Sequence, residues 1–274
     1  MIKPQTISEQ LLYSTIRLQT DQGVGTGFIF MFQTKNKQAI PVIITNKHVI
    51  DNNNKEKIRF FLHIKENESP AGSYMEVEYI ADWVFHNNST IDLCCMPLAP
   101  LLHNIKEKRS KEIFFIPITE DIIWSNEKLN ELQAVEDVLM IGYPIGLFDK
   151  ENNLPLVRKG ITASHPAINY DGKSMGVIDM SCFPGSSGSP IFILNDNGYS
   201  DKKGNMFIGR KRIILLGILY AGPTLDIEGD IEVEEIPTQQ KVISNTKIMI
   251  NLGYYIKAKE ILDLKKQILE KYEG

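Results

Sequence analysis

The sequence predicts an all-β fold made of two strand-rich halves and finished by one C-terminal α-helix. Three observations point there. Short runs of β-branched and aromatic residues recur along the chain, separated by Gly, Asp and Asn turn-formers. A polar-centred stretch, LLHNIKEKRSKEIFF (101–115), interrupts them midway. Then KAKEILDLKKQILEKY (257–272) changes to a helical period.

The first half holds TIRLQT (15–20), GTGFIFMF (25–32), PVIITN (41–46), KIRFFLHI (57–64), MEVEYIADWVF (75–85) and IDLCCMPLA (91–99). DQG and DNNN are the turns between them. Segment 101–115 reads as an inter-lobe connector because its charged middle has no face to bury. The second half holds DVLMIGYP (137–144), RKGITASHPAINY (158–170), MGVIDM (175–180), PIFIL (190–194), IILLGILYAG (213–222) and TKIMINLGYYI (246–256). In 257–272, Ile261, Leu262, Leu264, Ile268 and Leu269 recur near i, i+3, i+4 and i+7, which makes one apolar stripe on a helix. No repeat period breaks this outline, and 274 residues are enough for a sizeable core.

Composition excludes several functions. The net charge of −4 offers no basic face for nucleic acid. No run approaches the roughly 18 apolar residues of a membrane span, and MIKPQTISEQLLYSTIRLQT has no secretory h-region and cleavage site. Cys94, Cys95 and Cys182 are too few for a disulfide framework, and no CxxC or HxxxH spacing offers a metal site. The expectation is a cytoplasmic protein with no metal or cofactor.

Three local signals then follow in one order. PVIITNKHVI puts His48 just past an apolar strand, HNNSTIDLCCMPL puts Asp92 at the entry to another, and SCFPGSSGSPIF puts Ser187 in a glycine-flanked turn. A serine hydroxyl is a weak nucleophile, so an imidazole must take its proton as it attacks a carbonyl. A carboxylate must in turn fix the imidazole's tautomer. The small residues around Ser187 let the amides of Gly185 and Ser187 converge on a developing oxyanion.

These segments resemble the trypsin/chymotrypsin superfamily of serine peptidases. PGSSGSP matches its nucleophile turn, TNKHV the histidine turn of bacterial members such as the high-temperature-requirement proteases, and IDLCCMPL the aspartate strand. Asp92 lies 44 positions after His48, and Ser187 lies 95 after Asp92, which also fits. The resemblance covers about residues 12–272, and the look is nearest to bacterial intracellular trypsin-like peptidases, some of them parts of antiviral defence systems. GYPIGLFDKENNLPLVRKG (142–160) is typical of that group and is placed as a loop bordering the cleft.

The resemblance implies a single peptidase domain, residues 1–274, of two six-stranded antiparallel barrels, about 10–105 and 114–256. A connector at 106–113 joins them, and the helix 257–272 covers one barrel. It implies an endopeptidase with the triad His48, Asp92 and Ser187, an oxyanion hole of Gly185 and Ser187, and a protein or peptide substrate, with a regulatory protein partner as a further expectation. Ser181 would form the base of the primary specificity pocket, with Cys182 beside it and Tyr220, Ala221 and Gly222 as the facing wall. In many secreted members an Asp before the nucleophile pairs with a newly cut N-terminal amine. Ser186 holds that place here, so no propeptide removal is expected, and the turn must be held otherwise, by a partner or by substrate.

Rival readings of the same residues remain. Asp82 competes with Asp92, and Ser186 and Ser189 with Ser187. His63, His86, His103 and His165 lack a motif, although His165 lies where it would border the cleft. No histidine follows Ser187, which removes the α/β-hydrolase order. Gly23, Gly25 and Gly27 do not have dinucleotide-loop spacing and read as a barrel turn. The fold could instead serve as a binding or scaffolding module with an idle triad, or as an esterase. PTLDIEGDIEVEEIPTQQ (223–240) is either a solvated loop or an acidic docking lip.

Overall fold

The computed structural model describes residues 2–34, 38–230 and 243–273. The chain opens with the short helix α1 (Ile7–Leu12), started by a capping box in which the Thr6 side chain and Glu9 satisfy each other's backbone N–H groups. A run of strands follows: β1 (Thr15–Gln19), β2 (Val24–Gln33), β3 (Ala39–Thr45), β4 (Lys57–Glu66), β5 (Ser69–Ile80), β6 (Val84–Phe85) and β7 (Cys94–Pro97). Helix α2 (Ala99–Arg109), strand β8 (Ile118–Thr119) and the single-turn helix α3 (Asn126–Leu129) lead to the second lobe.

That lobe contains β9 (Asp137–Gly142), β10 (Leu156–Thr162), β11 (Met175–Asp179) and β12 (Pro190–Asn195), the small hairpin β13 (Gly198–Ser200) and β14 (Met206–Ile208), and β15 (Arg212–Ala221). A second hairpin, β16 (Thr224–Asp230) and β17 (Ile243–Met249), precedes β18 (Leu252–Lys257) and helix α4 (Ile261–Glu273). The expected strand 246–256 is thus two strands. Of the acidic segment 223–240, residues 231–240 lie outside the described residues.

The second lobe is a closed six-stranded antiparallel barrel, in the order β10, β11, β18, β15, β12, β9. The first lobe departs from expectation. It is an open sheet in the order β5, β4, β1, β2, β3, β7, β6, with β8 added in parallel to β2. It does not close because β6 is only two residues long and pairs only with Val84↔Cys95 and Phe85↔Cys94. The free edge of β5 carries Glu76 and Glu78, and Glu78 is drawn back onto Lys57 and Arg59 of β4. Charged side chains on an edge discourage further pairing.

The expected connector is a helix in its larger part. In α2 the apolar residues Leu101 and Ile105 are buried while the lysines face water, and Pro100 sits in the first turn, where it costs no hydrogen bond. Gly25 and Gly27 lie inside β2 rather than in a turn. A side chain at Gly25 would strike Val49, so glycine there lets the strand press against the residue after His48.

Among the described residues, apolar side chains gather into three clusters. One fills the first lobe around Leu18, Phe60 and Trp83, and another fills the barrel around Met140, Ile214 and Tyr255. The third joins the lobes: Phe28, Phe30 and Phe32 of β2 meet Ile141, Phe192 and Ile218 of the barrel. The stripe Ile261, Leu264 and Ile268 of α4 completes this shared core. The helix therefore reaches beyond its own barrel: Gln267 donates to the Phe85 carbonyl and Lys271 pairs with Asp82, both on the first lobe.

Candidate active site

His48 sits in a short 3₁₀ turn, 47–50, that leaves β3 and is ended by Asp51 in the left-handed conformation. Asp92 lies two residues before β7, the strand paired with β3. That pairing is what brings the two side chains together. Asp92 Oδ2 is 2.5 Å from His48 Nδ1, and Oδ1 accepts the His48 backbone N–H at 3.2 Å. A carboxylate on Nδ1 keeps the proton there and leaves the Nε2 lone pair outward, on an imidazole that is 42% exposed.

Asp82 has a different task. It pairs with Lys55 and Lys271, and among the described residues it meets no histidine. The other histidines are also occupied or remote. His63 is buried beside Tyr13, His103 pairs with Glu107 on α2, and His165 accepts the Ala167 N–H and approaches Lys202.

Ser187 lies in the turn before β12. Gly185 and Gly188 have φ near +86° and +85°, where a side chain is strained. A side chain at Gly188 would also collide with the Thr26 carbonyl and Thr45 Oγ1. Thr26 of β2 is the fastening point. Its N–H donates to the Ser187 carbonyl at 2.9 Å and its Oγ1 to the Gly185 carbonyl at 2.9 Å, while its own carbonyl accepts Thr45 Oγ1 at 2.7 Å. The Ser187 turn is thereby tied to the strand pair that carries His48. Among the described residues no hydrogen bond joins His48 to Ser187. Such contacts commonly tighten only when substrate is bound.

The peptide before Gly185 is oriented by the loop 142–160. Ile145, itself left-handed at φ 52°, donates its N–H to the Pro184 carbonyl at 2.5 Å. In a trans peptide the N–H points opposite to the C=O, so the Gly185 N–H faces away from that loop. Neither it nor the Ser187 N–H has a partner among the described residues. Two free donors in one turn can receive a developing negative charge.

The expected pocket residues fall in two groups. Ser181 is exposed, its hydroxyl on Asn251, and Cys182 is buried against Gly253, its thiol pushed up to about 11 by burial. Tyr220 and Ala221 end β15 and Gly222 follows it, and the Leu219 carbonyl of the same strand accepts the Gly188 N–H. Among the described residues no hydrogen bond links the two groups. A cleft of about 510 Å³ runs past Tyr220 between Asn88, Thr90 and Ile91 on one side and Ser174 and Met175 on the other. A hollow of about 560 Å³ between the Lys65–Glu68 turn and Glu112 holds none of these groups.

One side-chain cluster among the described residues has a metal-like composition: His86, Glu260 and Asp263. His86 Nδ1 accepts the Asn88 N–H at 3.1 Å, so a neutral ring carries its proton on Nε2 and presents a donor, not a lone pair, to the carboxylates. The cluster fits a polar contact between the first lobe and the start of α4 better than an ion.

Sequence reading missed Thr26 and Asn46, although both lie in segments that it quoted, GTGFIFMF and TNKHV. The signal was available as buried polar residues beside each motif, since a buried hydroxyl or amide needs a partner.

A family model described as a trypsin-like peptidase domain matches residues 25–198. No curated protein sequence matches the chain. Among solved structures, Rv3671c from M. tuberculosis H37Rv, an inactive serine-to-alanine form, is 13% identical with a TM-score of 0.46, over 99% of this chain and 98% of that one. The scabies mite inactivated protease paralogue S-I1 is 14% identical with a TM-score of 0.47, over 96% of this chain and 97% of that one.

Proposed function

The chain belongs to the trypsin-like peptidase family, and from that premise we propose that it is a serine endopeptidase acting through an acyl-enzyme on Ser187. The observation that carries this reading is the Asp92–His48 pair, 2.5 Å apart, on a turn fastened through Thr26 to the Ser187 turn.

In this reading Ser187 Oγ attacks the scissile carbonyl carbon while His48 Nε2 takes the hydroxyl proton. Asp92 stabilises the imidazolium without itself being protonated. The carbonyl oxygen becomes an oxyanion held by the Gly185 and Ser187 N–H groups. The intermediate collapses, the C–N bond breaks, and the amine leaves with the proton from His48. Water then attacks the ester with His48 again as base, releasing the acid and restoring the hydroxyl. The step requires neither metal nor cofactor.

The substrate is a protein or peptide. Its extended backbone would lie along Tyr220 to Gly222 as an added strand, beside the cleft that Tyr220 lines. Residues 1–274 act as one peptidase domain, a reading supported by α4, whose apolar stripe completes the core between the lobes. The cytoplasm is its compartment in the same proposal, since Cys94, Cys95 and Cys182 are all free thiols.

A fluorophosphonate probe with peptide mapping, run beside hydrolysis of a random peptide library, tests the reading. Label on Ser187, lost in Ser187→Ala, together with peptide cleavage is the expected result. A folded protein that neither labels nor cleaves would leave a binding module with an idle triad.

A further inference from the structure

The segment from Ser181 to Ser187 is a loop with two demanding features: its first residue floors the expected pocket and its last is the nucleophile. Such a loop needs something rigid beneath it. Ser186 is wholly buried, and its hydroxyl accepts a hydrogen bond at 2.8 Å from Nη2 of Arg158. Nη1 of the same guanidinium donates to the Ser181 carbonyl at 2.6 Å. One planar group thus bridges the two ends of the loop from below, reaching up from the middle of β10.

Arg158 has no carboxylate partner among the described residues, and its Nε is buried without an acceptor. Arg158 is half-buried, so desolvation opposes its charge, and among the described residues its hydrogen-bond partners are the two neutral acceptors. Its backbone is set by β10, paired with Met140 of β9 across the barrel wall. A methionine or leucine would fill the same space at lower cost. The two contacts to the nucleophile loop are what distinguish arginine from such a residue.

Resting on the reading of Ser187 as nucleophile, we propose that Arg158 is the positioning residue of the oxyanion turn, an internal cation that fixes Ser186 and Ser181 so that the Gly185 and Ser187 N–H groups converge without an activating cut or partner. A guanidinium suits this task because its donors lie in one plane at fixed spacing and stay charged across the working pH range. From outside the turn, Thr26, Ile145 and Leu219 hold Ser187, Gly185, Pro184 and Gly188. Ser186 is otherwise bonded only within the turn, through Phe183 and Ser189, and Ser181 through its hydroxyl on Asn251, so among the described residues Arg158 alone ties the Ser186 hydroxyl to the Ser181 carbonyl.

The test compares the intact wild-type chain with Arg158→Met, Arg158→Lys and Ser186→Ala. With an ester substrate, Arg158→Met should lower kcat by about 100-fold with KM little changed, the scale expected when an oxyanion donor is lost. Arg158→Lys should recover part of that rate and add an alkaline fall in kcat as the buried lysine deprotonates, a limb that arginine lacks. Ser186→Ala keeps the Ser181 contact and should lose less than Arg158→Met. Hydrogen exchange supplies a readout independent of activity: amides of 183–188 should exchange at least tenfold faster in Arg158→Met while β2 and β9 stay protected.

If wild type never labels at Ser187, the endopeptidase reading fails, and the exchange arm still decides the clamp. Unchanged exchange at 183–188 in Arg158→Met overturns the proposal, as does a kcat within threefold of wild type. If Arg158→Met does not fold, Arg158→Lys and Ser186→Ala carry the same two readouts.

Discussion

Asn46 holds Asp92 by its main chain: the buried Asn46 side-chain amide donates to the Asp92 carbonyl oxygen at 2.7 Å. Two residues further on, His48 meets both oxygens of the same aspartate. Three contacts from one short segment therefore fix Asp92 before any substrate arrives. Removing the amide leaves a carbonyl without its partner, which costs about 1–3 kcal/mol. Asn46→Ala should show that loss in urea unfolding, and kcat should fall more than KM rises. A variant as stable and active as wild type would show the contact to be incidental.

The two candidate aspartates give opposite expectations. Asp92→Asn presents a donor or a neutral oxygen to Nδ1 and should lower kcat by about four orders of magnitude, as in the chymotrypsin-type template. Ser187→Ala and His48→Ala should abolish turnover without unfolding the chain. Asp82→Asn only loosens exposed pairs with Lys55 and Lys271, worth at most about 1 kcal/mol. Steady-state kinetics on the four variants separates them, and a collapse of activity in Asp82→Asn alone would reverse the assignment.

Gly188 is the turn position least able to accept a side chain. Its φ of +85° is left-handed, and a Cβ would drive into the Thr26 carbonyl. Gly188→Ala should cost at least about 2 kcal/mol from backbone strain and forced movement. Because Thr26 also holds the Ser187 and Gly185 carbonyls, Ser187 should label more slowly even at temperatures where the variant is folded. Thermal unfolding and probe-labelling rates check both parts.

Burial pushes the His63 imidazole down to about 4 from its ordinary 6.5. The unfolded chain therefore takes up a proton before the folded one does. Stability should be lost as pH falls from 6.5 towards 4, by up to about 3 kcal/mol from this group. Carboxylates titrate in the same window, so the informative quantity is the difference between wild type and His63→Phe. That difference should shift steadily across the window in urea unfolding. Parallel curves would show that His63 is not held neutral.

The sequence made the candidate site legible where the chemistry that a triad needs and local turn geometry coincide. His48, Asp92 and Ser187 each stand in a short motif whose residue types are required together. The barrel was legible too, because its six strands alternate cleanly with turns. Closure of the first lobe was not, since it depends on whether β6 is long enough to meet β5, and MEVEYIADWVF reads as one strand until Ala81–Trp83 turns the chain. Helix α2 was hidden by its short stripe of Leu101 and Ile105 among lysines. Arg158 carries no motif at all, and only its position beneath Ser186 reveals it.

The last prediction concerns the residue before the scissile bond. Ser181 has no charge, and its hydroxyl is spent on Asn251 at 2.8 Å. Asp179 is the next acid along, but it accepts from the same asparagine at 2.7 Å, one hydrogen bond further away. The Arg158 guanidinium donates to the Ser181 carbonyl, so a pocket floored by Ser181 would be backed by a positive charge. Lysine or arginine from a substrate would bury a second cation there with no carboxylate to receive it, a cost of several kcal/mol. Such residues should be rejected by at least about 100-fold in kcat/KM against small or apolar ones. Cleavage of a random peptide library by wild type, with Ser187→Ala as control, reads the preference directly. Dominant cleavage after Arg or Lys would mean that another carboxylate enters the pocket, and the assignment of its floor would fall.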